Sequence, residues 1–225
     1  MSTIDYKNKI KCAVFDLDGT LLNTIKTINY YLNFALAKNG LGSVSEADTA
    51  TFVGDGARML VSRALNRLCE DGADLFDRVF ADYNAAYDAD PYYLTEVYPG
   101  IPELLSTLRE GGITLAVLSN KPDFATRAAV SHFFGDTFAA TSGAKEGVRL
   151  KPYPDSLLNM LAELGISPDE TVYIGDSDQD INTACNASVA GCISVAWGFR
   201  SREFLISSGA GQLVDTPSNL AALFI

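Results

Sequence analysis

Asp16 and Asp18, in the run Asp16-Leu17-Asp18-Gly19-Thr20, are the densest concentration of reactive groups in this chain. Residues i and i+2 of an extended segment point the same way, so both carboxylates can face one cavity while Leu17 points elsewhere. Gly19 permits a tight turn and a close backbone approach by a ligand. Taken alone, the run reads equally well as a pair of reactive carboxylates facing a ligand and as a strand-ending turn or a metal site of another kind. Two further apolar segments stop at comparable residues, one at Ser119 and Asn120 and the other at Asp176. Carboxylates and a hydroxyl at three strand ends suit phosphate chemistry, because open parallel sheets bind ligands outside the carboxyl ends of their strands. Asp180 lies one helical turn along from Asp176, which puts both on one face. Lys151, before Pro152, reads by itself as a surface lysine at a turn. Gly54-Asp55-Gly56-Ala57-Arg58 is a glycine-rich helix start that offers backbone N–H groups to an anion, without the third glycine of a dinucleotide fingerprint.

The elements that must position these groups follow from the apolar pattern. Residues 10–16 form a buried strand running into a turn. Ile25, Ile28, Leu32 and Leu36 recur at helical spacing, with Asn23 or Thr24 placed to cap the helix. Leu60, Ala64, Leu65 and Leu68 repeat the pattern, as do Leu75, Val79, Tyr83 and Tyr87, so residues 23–90 form an all-helical block. Pro91, Pro99, Gly100 and Pro102 then mark a domain junction. Beyond it, strands are expected at 113–119, 138–143, 171–176, 192–197 and 212–215. Helices alternate with them near 123–133, 154–164, 179–187, 201–208 and 217–224. Strand–helix alternation predicts a parallel sheet covered on both faces. The first strand belongs to it by character, which makes the helical block an insertion.

Composition narrows the function. Seventeen Lys and Arg against 28 Asp and Glu leave a net charge of −11, an unfavourable balance for generic nucleic-acid binding. The longest apolar run, Leu220 to Ile225, has six residues, far short of the roughly 20 that span a bilayer. The amino-terminal MSTIDYKNKIKC has no apolar signal region. Cys12, Cys69, Cys185 and Cys192 form no CxxC, so reduced structural thiols in a cytoplasmic protein are expected rather than zinc or disulfides. His132, the single histidine, sits at an expected helix end, where interaction with the helix dipole accounts for it without catalysis.

The ordered set VFDLDGT, LSNK (118–121), LKP (150–152) and GDSDQD (175–180) resembles the four motifs of the haloacid dehalogenase-like hydrolases. Within that superfamily, FVGDGARMLVSRAL (52–65) and CISVAWGFRSREFL (192–205) resemble the phosphoglycolate phosphatases. The resemblance implies an α/β fold: a doubly wound parallel sheet (Rossmann-like core) with a small all-helical cap inserted after the first motif. The core would comprise 1–22 and 97–225, and the cap 23–96. Asp16 would be the nucleophile, forming a transient aspartyl-phosphate. Two like charges at ~4 Å repel by about 4 kcal/mol at an effective dielectric of ~20, and a divalent cation reverses that sign. Mg²⁺ is therefore the expected cofactor, with Asp16, the Asp18 backbone carbonyl and Asp176 as ligands and Asp180 in support.

Lys151 would supply fixed positive charge to Asp16 and the phosphoryl oxygens. Thr20, Ser119, Asn120 and nearby backbone N–H groups would bind the phosphate. Asp18 would protonate the leaving alkoxide and later activate water, a role that needs a raised pKa. Arg58 would grip a substrate carboxylate. Cap closure would exclude bulk water.

The expected activity is Mg²⁺-dependent hydrolysis of a small phosphorylated metabolite, 2-phosphoglycolate being favoured, with neither nucleic acid nor membrane as a partner. The same mechanism on pyrophosphate or a nucleoside monophosphate, or a phosphosugar mutase, are the near alternatives. A phosphate-storing receiver is disfavoured by Asp18 and by the helical insertion, and a non-catalytic binding protein by the intact motif set. Spacing does not select between a monomer and a homodimer.

Overall fold

Cys12, Ala13, Val14 and Phe15 are all fully buried, and a strand buried on both faces requires helices on both sides of its sheet. The computed structural model describes residues 6–68 and 72–224; Cys69, Ile225 and the first five residues of the amino-terminal segment lie outside the described residues. The chain begins with β1 (Cys12–Phe15) and a short β2 (Leu22–Asn23). Helices α1 (Ile25–Lys38), α2 (Glu46–Phe52), α3 (Ala57–Leu68) and α4 (Phe76–Ala89) follow, and then β3 (Glu96–Val97). The remainder alternates: α5 (Ile101–Glu110), β4 (Thr114–Pro122), α6 (Asp123–Phe134), β5 (Ala140–Ala144), α7 (Asp155–Leu164) and β6 (Thr171–Gly175). It closes with α8 (Asp178–Asn186), β7 (Gly191–Val195), α9 (Arg202–Ser207), β8 (Gln212–Val214) and α10 (Pro217–Ala221).

The chain divides into two compact units, residues 1–22 with 97–225, and residues 23–96. The first holds a six-stranded sheet in the order β5-β4-β1-β6-β7-β8, with every neighbouring pair parallel. On one face Cys12, Val14, Ala116, Leu118 and Tyr173 pack with Leu157, Met160 and Leu161 of α7 and Ala184 of α8. Their neighbours Ala13, Phe15, Leu115, Val117, Val172 and Ile174 point the opposite way and are as deeply buried, so both faces are covered. This is the α/β architecture expected from the alternation. The order places β1 centrally, with β4 on one side and β6 on the other, so the carboxyl ends of these three strands adjoin.

The second unit is helical. Leu32, Ala35 and Leu36 of α1, Leu60, Val61, Ala64 and Leu65 of α3, and Val79, Tyr83 and Tyr87 of α4 form its core, each set at helical spacing.

Local chemistry corrects several expectations. Thr24 stands at the N-cap of α1, but its side chain makes no capping bond, and the side-chain oxygens of Asn23 and Thr24 are buried without a hydrogen-bond partner. Pro99, Gly100 and Pro102, read as junction punctuation, lie just past the boundary between the two units at 96/97 and also start a helix that was not expected: Gly100 is the left-handed N-cap of α5 and Pro102 occupies its first turn, where a missing N–H costs nothing. The polar α2 was not expected, having one buried residue, Thr49; it starts on a capping box between Ser45 and Asp48.

Leu32 is fully buried in the core of the second unit. Leu32→Ala should lower the unfolding free energy, read by urea denaturation, by about 2–5 kcal/mol. Lys38→Ala, which removes an exposed ion pair with Asp82, should change it by less than about 1 kcal/mol.

Candidate active site

Asp16 follows β1 directly and continues its ladder, its N–H donating to the Ile174 carbonyl at 2.9 Å. The chain then turns sharply, and the Leu17 carbonyl accepts from the N–H groups of Thr20, Leu21 and Leu22. Gly19 makes the turn possible at φ +89°, and a Cβ there would lie 2.4 Å from an Asp176 carboxylate oxygen. The two strand ends therefore touch through a residue that must lack a side chain. The Asp16 Oδ1 accepts from the Leu17 N–H at 2.7 Å and from the Lys151 ammonium at 3.0 Å.

Asp176 follows β6. Its Oδ2 accepts from the Phe199 N–H at 2.7 Å and its Oδ1 from the Thr20 hydroxyl at 3.3 Å. Asp176 precedes α8 rather than lying on it, so the shared helix face expected for Asp176 and Asp180 does not exist. Ser177 is the N-cap, and Asp180 completes a capping box, its Oδ2 accepting from the Ser177 N–H at 3.0 Å and hydroxyl at 2.6 Å. The Asp180 Oδ1 accepts from Lys151 at 2.7 Å.

Lys151 lies before α7, in no regular element of its own. Its backbone is held by the Asn120 side chain, which accepts from the Lys151 N–H at 2.8 Å and donates to its carbonyl at 3.2 Å. The ammonium lies 5.6 Å from the ring centre of Tyr173, whose hydroxyl donates to the Leu118 carbonyl at 2.8 Å. Residues 31 positions apart in sequence thus tie an irregular segment to the end of β4.

Asp16, Asp176 and Asp180 are all buried, with one carboxylate oxygen from each lying within 4.8 Å of the others. Burial pushes the Asp16 carboxyl up to about 8, opposed by Lys151 and reinforced by Asp180 and Asp176. Burial likewise pushes Asp176 up to about 7, with Asp180 adding and the Phe199 N–H opposing. Burial works against the Lys151 charge, but Asp16 and Asp180 outweigh it and hold the ammonium well above the usual lysine range. One ammonium does not neutralise three carboxylates, and an all-oxygen set of this kind fits a hard divalent cation. Asp180 has both oxygens in short bonds to Lys151 and Ser177, whereas the Asp176 Oδ1 meets only the Thr20 hydroxyl at 3.3 Å and both side-chain contacts of Asp16 fall on Oδ1, so Asp16 and Asp176 are the better placed to hold it.

The remaining expected residues divide. Ser119 is buried at the end of the regular part of β4 and accepts from the Lys121 N–H at 3.3 Å. Thr20, expected at the phosphate, is fully buried and directed to Asp176, while Asn120, also expected there, is engaged with Lys151. Arg58 belongs to the second unit, where its guanidinium lies 4.8 and 4.9 Å from the ring centres of Phe76 and Phe80. His132 closes the last turn of α6. Two residues near Asp18 were not singled out for the site. The Lys121 ammonium stands 3.4 Å from both Asp18 oxygens, and Tyr98 has a phenol raised by burial and by the charges of Asp176 and Asp18. The LSNK motif could have signalled Lys121, whereas Tyr98 carries no local signature.

Comparison with known proteins agrees with this architecture. The haloacid dehalogenase-like hydrolase family pattern matches residues 13–193. A phosphoglycolate phosphatase of Rhodospirillum rubrum is 34% identical over 216 residues, covering 93% of this chain and 89% of its own. One from Vibrio vulnificus is 30% identical over 221 residues, covering 95% and 96%. The crystal structure of a candidate phosphoglycolate phosphatase from Lactobacillus delbrueckii subsp. bulgaricus superposes with a TM-score of 0.92 at 35% identity, over 96% of this chain and 99% of that one. With its central strand ending in paired aspartates and its buried acidic cluster, the chain belongs to the haloacid dehalogenase-like hydrolases, as a phosphoric monoester hydrolase of the phosphoglycolate phosphatase type.

Proposed function

We propose that the chain hydrolyses the phosphate monoester of a small organic acid, with 2-phosphoglycolate the favoured substrate, by way of a phosphoryl group carried on Asp16. The observation that supports this most is the contact of Asp16 with the buried Lys151 ammonium at 3.0 Å. A carboxylate that attacks a phosphate dianion needs fixed positive charge beside it, and Lys151 is anchored to supply it. Both recorded contacts of Asp16 are made to Oδ1, which leaves Oδ2 for attack.

As the bond from Asp16 Oδ2 to phosphorus forms, the bond from phosphorus to the ester oxygen breaks. That oxygen takes a proton from Asp18. In the second half, Asp18 takes a proton from water as the water oxygen attacks phosphorus, releasing inorganic phosphate and restoring the Asp16 carboxylate. The Ser119 hydroxyl and the backbone N–H groups near it bind the phosphoryl oxygens. A bound Mg²⁺, held by Asp16, the Asp18 carbonyl and Asp176, would offset the repulsion between carboxylates and phosphate. The choice of 2-phosphoglycolate over pyrophosphate or a nucleoside monophosphate rests on the names borne by the R. rubrum and V. vulnificus relatives.

Phosphate release from a panel of small phosphate esters tests this directly. Release should be fastest from 2-phosphoglycolate, require Mg²⁺ and stop with chelator; Asp16→Asn should lower it by at least roughly 10³-fold. Full activity in Asp16→Asn would end the proposal.

The raised carboxyls give a second test. Asp16 and Asp176 titrate at about 8 and about 7 in the metal-free protein, above the ordinary aspartate value of about 4. Between these values the folded state holds protons that the unfolded state has released, so their contribution to stability is lost as pH rises through 7 and 8. Mg²⁺ binds the ionised forms and should restore it. The Mg²⁺-induced rise in Tm should be larger at about pH 8.5 than at about pH 5.5, by differential scanning calorimetry, and should shrink in Asp176→Asn.

A further inference from the structure

Lys121 stands where β4 leaves regular pairing. Its register against β5 shifts between Leu118 and Pro122, and such irregularities re-aim side chains beside active sites. The segment is seated with care. The Thr126 hydroxyl donates to the Lys121 carbonyl at 3.1 Å, and the Gly143 N–H donates to Asp123 at 2.8 Å. A Cβ on Gly143 would come within 2.5 Å of both the Lys121 carbonyl oxygen and the Thr126 hydroxyl oxygen, so β5 approaches here only because that residue has no side chain. The outcome is an ammonium with its side chain only 11% exposed, equidistant at 3.4 Å from the two oxygens of Asp18.

The buried Lys151 and the half-buried Lys121 therefore serve opposite sides of the site. Lys151 is committed to Asp16 and Asp180, on the side of the phosphoryl group. Lys121 faces Asp18, the carboxyl to which the proposed function gives the ester oxygen. Its contact is longer than the roughly 2.7–2.9 Å of a well-formed charge-assisted bond. An ammonium carries three donors on a flexible stem, so it can turn toward a second anion beside Asp18. An ester oxygen in reach of Asp18 puts the next carbons of the leaving alcohol beside that ammonium.

We propose that Lys121 is the specificity-determining residue of this site: its ammonium binds a carboxylate on the alcohol half of the phosphoester, adjacent to the carbon that bears the ester oxygen. This rests on the reaction proposed above and assigns carboxylate recognition to the first unit, in place of Arg58, which lies over two phenylalanine rings in the second.

The test compares two esters of the same skeleton, 2-phosphoglycolate and 2-hydroxyethyl phosphate, on the full chain with Mg²⁺. Wild type should prefer 2-phosphoglycolate in kcat/KM. Lys121→Met should cut that preference by roughly 10- to 100-fold, chiefly through KM for 2-phosphoglycolate. Any loss through Asp18 is common to both esters and cancels in the ratio. Lys121→Arg should recover much of the preference, and Lys121→Gln provides a second neutral variant should the methionine disturb folding. A ratio unchanged in the neutral variants overturns the assignment alone; a wild type without preference overturns the assignment and the choice of 2-phosphoglycolate, and leaves the reaction at Asp16 standing. Release from neither ester by wild type overturns the proposed reaction and the assignment with it.

Discussion

Three carboxylates out of water with one ammonium among them is an arrangement that folding alone does not favour. Each charge loses hydration on burial, and the attraction to Lys151 repays this only where the geometry is good and the other lone pairs find donors. The donors are present: Leu17 N–H for Asp16, Phe199 N–H and Thr20 for Asp176, Ser177 for Asp180. Burial nonetheless raises the carboxyls of Asp16 and Asp176, so these donors and Lys151 do not fully compensate it. The first unit thus holds a deficit of positive charge at the carboxyl ends of its central strands, an arrangement that fits a hard divalent cation and that costs stability while uncompensated.

The supporting bonds show a division of labour. Asp16 is aligned by its own neighbour in sequence, whereas Lys151 comes from an irregular segment and is pinned three ways: its backbone by Asn120, and its ammonium by Asp180 and over the Tyr173 ring. Asp180 in turn is fixed by the start of α8. A residue with no secondary structure of its own gains the rigidity of two strands and a helix. Removing one partner of such a buried pair leaves a charge uncompensated, which costs about 3–5 kcal/mol.

Much of this was legible before any coordinates. The central strands β1, β4 and β6 announced themselves because buried parallel strands are largely apolar runs, and Asp16, Ser119 and Asp176 announced themselves as the polar residues where those runs stop. The convergence of Asp16, Lys151, Asp176 and Asp180 follows from strand order, which puts β1 between β4 and β6. What was lost depended on side-chain direction. Asn120 and Thr20 have the right chemistry for phosphate, but burial turns one onto a backbone and the other onto a carboxylate. Asp180 was placed near Asp176 for the wrong reason, helical spacing, when Ser177 and Asp180 spell a capping box. Lys121 owes its aim to a register shift that no local pattern records. Helix α5 was obscured because proline and glycine mark helix starts as readily as junctions.

The paired strands β2 and β3 carry one more implication. They bring the entry and exit of a 74-residue excursion side by side, immediately after the segment that bears Asp16 and Asp18. A loop whose ends already meet adds little closure entropy however long it grows. An excursion of different length and shape can therefore be joined at the same two points while the sheet keeps its strand order, so the insertion is free to vary independently of the strand ends that carry Asp16 and Asp18.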